Sequence, residues 1–220
     1  MSSWRFLLSE ELTKKISDGC KALGQIISDD QARQLALLLA ELERWSARVN
    51  LTAIRDIDDM VSGHVLDSLA VRPFLQGSTV IDIGTGAGFP GLPLAIAEPD
   101  RTFTLLDSNG KKIAFVQHIV TKLALTNVTP VKARAEESAG GDEFDTVVAR
   151  ALASIPKIIE LGGHLMGKKG VLLALKGKYP AEELEQLEHL PDRWAWKSEE
   201  LLVPGLPLHS RHIIRLTKEG

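Results

Sequence analysis

Three glycines and one aspartate give this sequence its clearest chemical signal. Asp82 lies two residues before Gly84, and Gly86 and Gly88 follow with the same spacing. Glycines in such a turn expose backbone N–H groups and let a ligand approach the main chain closely. The carboxylate can accept a hydrogen bond from an ammonium group and favour its charged form. The segment therefore predicts a turn that binds a positively charged ligand.

Two ligands compete for this turn. The stretch from Gly86 to Gly91 satisfies the dinucleotide pattern G-x-G-x-x-G. A pyrophosphate gains nothing from the neighbouring Asp82 carboxylate, whereas S-adenosylmethionine (SAM) carries an ammonium and a sulfonium and has no phosphate. We therefore favour SAM over a dinucleotide, and a glycine turn that binds no ligand is the third interpretation.

A second carboxylate, Asp107, ends the next β-branched and apolar segment. It lies 23 residues after Gly84, near the spacing expected of a carboxylate that binds the two hydroxyls of a ribose. The other interpretation makes Asp107 the N-cap of the following helix, and the two roles can coexist.

Charged residues also follow the other predicted strands. Ligands on open parallel sheets bind at the carboxyl ends of the strands. Five strand ends with charged side chains therefore predict a site along one edge of the sheet. These residues are Asp82, Asp107, Glu136, Arg150 and Lys176.

The elements that position these residues alternate between strand and helix, which is typical of an α/β fold. A closing pair of strands follows at 194–203 and 211–217, and the second has the mixed polar and apolar pattern of an outer strand. Helices are predicted from Lys111, over 155–161 and over 181–189. The five earlier strands are predicted at 79–83, 102–107, 128–131, 144–149 and 170–176.

The first 77 residues have little strand character and predict a helical extension. One helix is expected over 9–25 with Ser9 as its N-cap, and another follows the capping box Ser28 to Gln31. A third is expected over 57–71, before Pro73. The division is therefore 1–77 for the extension and 78–220 for the ligand-binding domain, joined through Gln76, Gly77 and Ser78.

On the third helix, His64, Asp67 and Ser68 share one face because they lie at positions i, i+3 and i+4. They could contact a substrate or exchange protons with it. A hydrolase triad is excluded, since one helix face cannot place all three in relay order around a substrate. The simpler interpretation is a polar network that holds the extension onto the sheet.

Composition narrows the class of protein. The chain has 220 residues, of which 44% are hydrophobic and 25% charged, and its net charge is −3. Residues 108–178 nevertheless hold 11 Lys and Arg against 6 Asp and Glu, which predicts either a binding face or solvated loops. The single cysteine, Cys20, fits a reducing cytoplasm. No apolar run is long enough for a membrane span, and residues 1–12 carry charges where a signal peptide would need an apolar core, so we expect no membrane association.

Several segments, taken together, resemble the RsmG (GidB) family of bacterial 16S ribosomal RNA guanine-N7 methyltransferases. The resemblance covers nearly the whole chain, whereas a generic SAM enzyme would share only the glycine turn and Asp107. The matching segments are Asp82 to Gly91, Asn50-Leu-Thr52, His64 to Ser68, Leu105 to Ser108, Arg150-Ala151 and Lys176-Gly177.

The resemblance implies a class I SAM-dependent methyltransferase with a Rossmann-like, seven-stranded, mostly parallel sheet and an N-terminal helical extension. It also implies methylation of a guanine N7 in the decoding-region loop of the small-subunit rRNA. By position, it implies that the cofactor contacts Gly84, Phe89, Ala135, Glu136 and Arg150, in addition to the expected Asp82, Gly86, Gly88 and Asp107.

Guanine N7 carries a lone pair and no proton, so we expect no general base. Arg150 and Lys176 are then expected to position the RNA electrostatically, unless each forms only a structural ion pair. RNA binding is predicted for Lys111, Lys112, Arg150, Lys176 and His64. We expect no metal, and a monomeric protein in the cytoplasm that acts on 16S rRNA or the small ribosomal subunit.

Three other classes would share parts of this pattern. A methyltransferase for small molecules would bind SAM without needing a basic face. An oxidoreductase would bind a nicotinamide cofactor at the same turn. A ribosome-associated protein without activity would bind rRNA and transfer no methyl group.

Overall fold

A seven-stranded sheet forms the centre of the computed structural model, which describes residues 3–137, 143–208 and 211–218. The strand order is β3-β2-β1-β4-β5-β7-β6, and β1 to β5 are parallel. Within the sheet as described, β7 alone runs in the opposite direction to the other strands, antiparallel to both β5 and β6. The strands are β1 (Thr79–Ile83), β2 (Thr102–Asp107), β3 (Val128–Lys132), β4 (Phe144–Arg150), β5 (Met166–Lys176), β6 (Trp194–Glu200) and β7 (His212–Lys218).

Helices cover both faces of this sheet. Alternate strand residues point to opposite faces, so Val80 and Phe103 belong to one apolar cluster while Ile81 and Leu106 belong to another. The first cluster includes residues of the first six helical segments, and the second includes residues of the last two. The helices are α1 (Ser3–Ala22), α2 (Asp29–Ser46), α3 (Ile57–Met60), α4 (Asp67–Leu69), α5 (Gly91–Ala97), α6 (Gly110–Lys122), α7 (Ile155–Gly162) and α8 (Ala181–Glu185).

The predicted strands are confirmed, but the place of the last one is not. β7 lies between β5 and β6 and is not an outer strand. Its Ile213, Ile214 and Leu216 are fully buried, because both faces of the sheet are covered at this position. The edge strand on this side of the sheet is β6, most of whose residues are exposed, including Trp196 at 40%.

The helical extension differs from the prediction at two points. α1 begins at Ser3, so Ser9 lies inside the helix and is not its N-cap. No glycine or proline interrupts residues 3–8, so the helix can extend through them. The predicted third helix contains a π-helical segment, Val61–Leu66, between α3 and α4. The capping box at Ser28 and Gln31 is confirmed.

The predicted junction at residues 76–78 is fixed to the start of β4. The Gln76 backbone N–H donates to the Thr146 hydroxyl at 2.8 Å, and the Ser78 N–H donates to Asp145 at 2.7 Å. The division at residue 77 itself stays a prediction. No helix in the described part of the chain has the length and apolar character needed to cross a membrane.

Glu41 is the centre of an ion-pair network that connects α2 to α6. Its carboxylate accepts hydrogen bonds from His118 and Lys122, both at 2.8 Å, and pairs with Arg44 at 2.5 Å. Burial alone would raise the pKa of Glu41, but the hydrogen bonds from Lys122 and His118 hold that pKa below its ordinary value. This ion-pair network therefore stabilises the folded state only while Glu41 is ionised.

Replacing Glu41 with glutamine should lower the free energy of unfolding by about 1–2 kcal/mol at pH 7, because the charged hydrogen bonds are lost. Urea unfolding monitored by circular dichroism measures this difference. This difference in the free energy of unfolding should shrink as the pH falls through the folded-state pKa of Glu41, because the wild-type carboxylate then becomes protonated and loses its charge as well. Glu43→Gln, on the exposed side of the same helix, is the matched control. An equal loss in both variants would contradict the assignment.

Candidate active site

The glycine turn connects β1 to α5 and leaves open space beside one of its three glycines. Gly84, Gly86 and Gly88 have φ angles of +67°, +62° and +87°, which favour glycine. A Cβ atom at Gly84 or Gly88 would collide with Leu152 or Leu92. At Gly86 the nearest atom would be the Gly84 carbonyl oxygen at 4.0 Å. Gly86 is therefore the point where a ligand can approach the backbone.

Asp82 lies directly beneath this turn and is 1% exposed. Its Oδ2 accepts hydrogen bonds from the Thr85 hydroxyl at 2.7 Å and the Gly91 backbone N–H at 2.9 Å. Its Oδ1 is buried and has no hydrogen-bond partner among the described residues. Burial raises the pKa of Asp82 to about 6, despite these two hydrogen bonds. A carboxylate in this state suits a cationic ligand such as the ammonium of SAM.

Asp107 links β2 to the same turn. Its Oδ2 accepts the Gly86 N–H at 2.9 Å, and its Oδ1 accepts the Asn109 N–H at 2.8 Å. The N-cap of α6 is Asn109, whose side chain accepts from the Lys111 N–H at 3.0 Å, so the N-cap interpretation of Asp107 is wrong. Each carboxylate oxygen retains a second lone pair, which leaves Asp107 able to accept from a ribose. That role stays a prediction.

Arg150 joins the end of β4 to the helical extension. Its Nη1 donates to the Asp67 carboxylate at 2.9 Å and to the Gly63 carbonyl at 3.3 Å. The guanidinium carbon lies 5.8 Å from the centre of the Phe89 ring. Arg150 is therefore in a structural ion pair and also beside a residue of the glycine turn.

His64 also contacts Phe89, with its ring centre stacked 4.7 Å from that of the phenylalanine. Its Nε2 lies 2.8 Å from the Thr52 hydroxyl, which also accepts the Ile54 N–H. Burial, together with the charge of Arg150, lowers the pKa of His64 to about 4, so the ring is neutral at pH 7. His64 therefore adds an aromatic surface to the site without adding charge.

The face of the third helix forms the predicted polar network. Asp67 is 3% exposed and also accepts from Arg211, at 2.7 Å, while the Ser68 hydroxyl donates to the His64 carbonyl. Neither Arg211 nor the π-helical segment that contains Gly63 was predicted from the sequence. A glycine inside a helical pattern was the available signal, since such a glycine usually has a packing reason.

The remaining predicted residues lie in different surroundings. Lys176 donates to the Ala153 carbonyl at 2.8 Å and pairs with Glu183 at 2.7 Å, with its side chain 13% exposed. Ala135 is buried and Glu136 exposed in a short helix three residues beyond β3. Lys111 is exposed, and the Lys112 ammonium lies 3.8 Å from Asp107. The functional roles of these five residues stay predictions.

The sheet order, the glycine turn and the acids at the ends of β1 and β2 define a Rossmann-like, class I SAM-dependent methyltransferase with an N-terminal helical extension. Solved structures have the same fold. A SAM-dependent O-methyltransferase from Thermotoga maritima superimposes with a TM-score of 0.55 at 19% identity, over 83% of this chain and 71% of that one. TYW2 from M. jannaschii in complex with AdoMet gives 0.50 at 16% identity, over 69% and 75%.

Sequence relatives define the family more narrowly. The family model of rRNA small subunit methyltransferase G (GidB) matches residues 31–214. The ribosomal RNA small subunit methyltransferase G of Idiomarina loihiensis is 46% identical over 195 residues, which cover 88% of this chain and 93% of that protein. The protein of the same name from Alteromonas mediterranea is 41% identical over 96% of this chain and 99% of its own length. The chain belongs to the rRNA small subunit methyltransferase G family.

Replacing Gly86 with valine should abolish SAM binding, because the side chain would occupy the open side of the turn. Isothermal titration calorimetry measures the affinity. Gly24→Val is the matched control, since Gly24 has a φ of +69° and a Cβ atom added there would have no neighbour within 4 Å. Both variants strain the backbone, but only Gly86→Val should lose the ligand. Wild-type affinity in Gly86→Val would exclude this turn as the cofactor site.

The affinity for SAM should fall as the pH decreases through about 6, the pKa of buried Asp82. The ligand ammonium favours the ionised carboxylate, so below that pKa binding must release a proton. The affinity should then fall by up to about tenfold per pH unit. Titrations between pH 5 and 7 measure the effect. 5′-Methylthioadenosine, which lacks the amino-acid part of SAM, is the control ligand. An equal loss of affinity for both ligands would show that Asp82 does not bind the ammonium.

Proposed function

We propose that the protein transfers a methyl group from SAM to N7 of a guanine in the decoding-region loop of 16S rRNA. The observation that carries the proposal is the family match over residues 31–214, because it includes Asp82, Gly86, Asp107 and Arg150. The buried, unpartnered oxygen of Asp82 supports a cationic cofactor at the turn. We further propose that the protein acts as a monomer in the cytoplasm, where its rRNA substrate occurs.

Bound SAM supplies an electrophilic methyl group on a positively charged sulfur. Asp82 would hold the ammonium and Asp107 the ribose, while Gly84, Gly88, Phe89, Ala135 and Glu136 complete the cofactor contacts. These residues fix the orientation on which transfer depends.

No side chain needs to remove a proton, because guanine N7 carries none. Positive charge develops on the purine during transfer, so a neighbouring cation would oppose it. His64 is neutral at pH 7, and the charge of Arg150 is offset by Asp67, 2.9 Å away. Arg150 is therefore best suited to contact a phosphate or guanine O6. Lys176, which is paired with Glu183, would contribute to the electrostatic potential of the site.

A transfer assay tests the proposal against the other classes. Tritiated SAM is supplied with deproteinised small-subunit rRNA, with intact small subunits, or with a mixture of metabolites. We expect label in rRNA, recovered as 7-methylguanosine after digestion, and none with Gly86→Val. Label in a metabolite alone would indicate a small-molecule methyltransferase, and rRNA binding without label would indicate a protein without activity.

Replacing Lys111 and Lys112 with alanine should weaken rRNA binding and reduce its salt dependence by about one to two phosphate contacts. Both residues begin α6 beside the carboxyl edge of the sheet. Affinity for SAM should remain close to the wild-type value. Filter binding across a salt titration measures the effect.

Lys168→Ala with Lys169→Ala is the matched control, because these exposed lysines lie near the amino end of β5, at the opposite edge. The proposal for Lys111 and Lys112 fails if the two double variants bind rRNA with the same salt dependence.

A further inference from the structure

A cavity of about 520 Å³ lies beside the active site, between the extension and the segment that leads into β7. It meets the active site at two residues. The carbonyl of Gly63 accepts from Arg150 at 3.3 Å, and Arg211 donates to Asp67 at 2.7 Å. The volume lies within the range of small-ligand sites. Besides Gly63 and Arg211, its lining includes Arg55, Asp56, Asp59, Ser62 and Gly205.

The walls of this cavity carry both charges. Arg55 is exposed, and its hydrogen bond within the described structure is a long one, 3.3 Å, to the Asn50 side chain. The exposed Asp59 carboxylate has no hydrogen-bond or ion-pair partner among the residues described. Asp56, in contrast, is occupied as the N-cap of α3, where it accepts the Asp58 N–H at 2.8 Å. One cation and one carboxylate are therefore available to a ligand.

We propose that this cavity binds one nucleotide of the rRNA next to the target guanine. Arg55 would contact its phosphate, and Asp59 would accept a hydrogen bond from the exocyclic amino group of its base. Single-stranded loops present these base edges to proteins, whereas A-form helices hide them. An isolated anion fits less well, because Asp56 and Asp59 would repel it. The inference rests on the proposed function, since it assumes that rRNA is the substrate.

The cavity wall is packed against the helix that carries His64 and Asp67. Gly205 lies so close to Ser62 that a Cβ atom there would collide with the hydroxyl. The segment from Gly205 to Leu206 is thereby held against the helix that carries His64 and Asp67. Gly63 also lines the cavity, and its carbonyl accepts from Arg150, whose guanidinium carbon lies 5.8 Å from the centre of the Phe89 ring. A nucleotide in the cavity would therefore lie next to the residues that flank Phe89.

The test uses the full-length protein and a synthetic RNA that carries the target loop. Arg55→Ala should weaken RNA binding about tenfold at low salt and reduce the salt slope by about one. Affinity for SAM should not change. Lys157→Ala is the matched control, because Lys157 lines a different cavity, of about 600 Å³, beside α7. Fluorescence anisotropy across a salt titration measures binding, and initial rates give KM and kcat.

Asp59→Asn tests the base contact separately. In the wild type, uridine substituted at one flanking position should weaken binding, because uracil has no exocyclic amino group for Asp59. Asp59→Asn should remove this preference and leave SAM affinity unchanged.

The cavity proposal is overturned if Arg55→Ala and Asp59→Asn both match Lys157→Ala in RNA affinity, salt slope and base preference while the wild type methylates the RNA. If the wild type transfers no methyl group to small-subunit rRNA in any form, the proposed function has failed instead. The two failures are therefore distinguishable.

Discussion

One buried carboxylate, Asp67, holds together the three parts of the chain that form the candidate active site. It accepts from Arg150 at the end of β4 and from Arg211 just before β7, while its own helix belongs to the extension. Burying an ion pair costs desolvation energy that its attraction only partly offsets, so such a pair adds little net stability. Its main effect here is on geometry. It fixes Arg150 beside Phe89, and the same helix places His64 on that ring.

Most of the fold follows from local patterns in the sequence. β-Branched and apolar runs identified the five parallel strands β1 to β5, and the glycine turn, the capping box and the acids at the ends of β1 and β2 were all predictable from short segments. The position of β7 was not, because its insertion between β5 and β6 depends on pairing between distant segments. β5 also begins four residues earlier than predicted, and the residues that extend it include a glycine and two lysines, which have low strand propensity.

The side chains that pair with the site residues could not be predicted from local sequence patterns. Asp67 and Arg150 are 83 residues apart in the chain, and Asp67 and Arg211 are 144 apart. The rule that ligands bind at strand ends identified Arg150 and Lys176. No sequence pattern shows that Asp67 pairs with Arg150 or that Glu183 pairs with Lys176. The same limit applies to Asn109, whose capping role depends on where the chain turns after Asp107.

The apolar cluster that joins the extension to the sheet has a consequence for recognition. Leu35, Leu39 and Leu69 belong to the same buried cluster as Phe103 and Phe115, so the extension is packed as part of the main core. A surface built this way exists before any RNA arrives. If RNA docks there as proposed, the protein would lose little conformational entropy, and the ordering cost would fall on the flexible nucleotides of the loop. Discrimination between RNA substrates would accordingly depend on how readily each one adopts the shape of a rigid template.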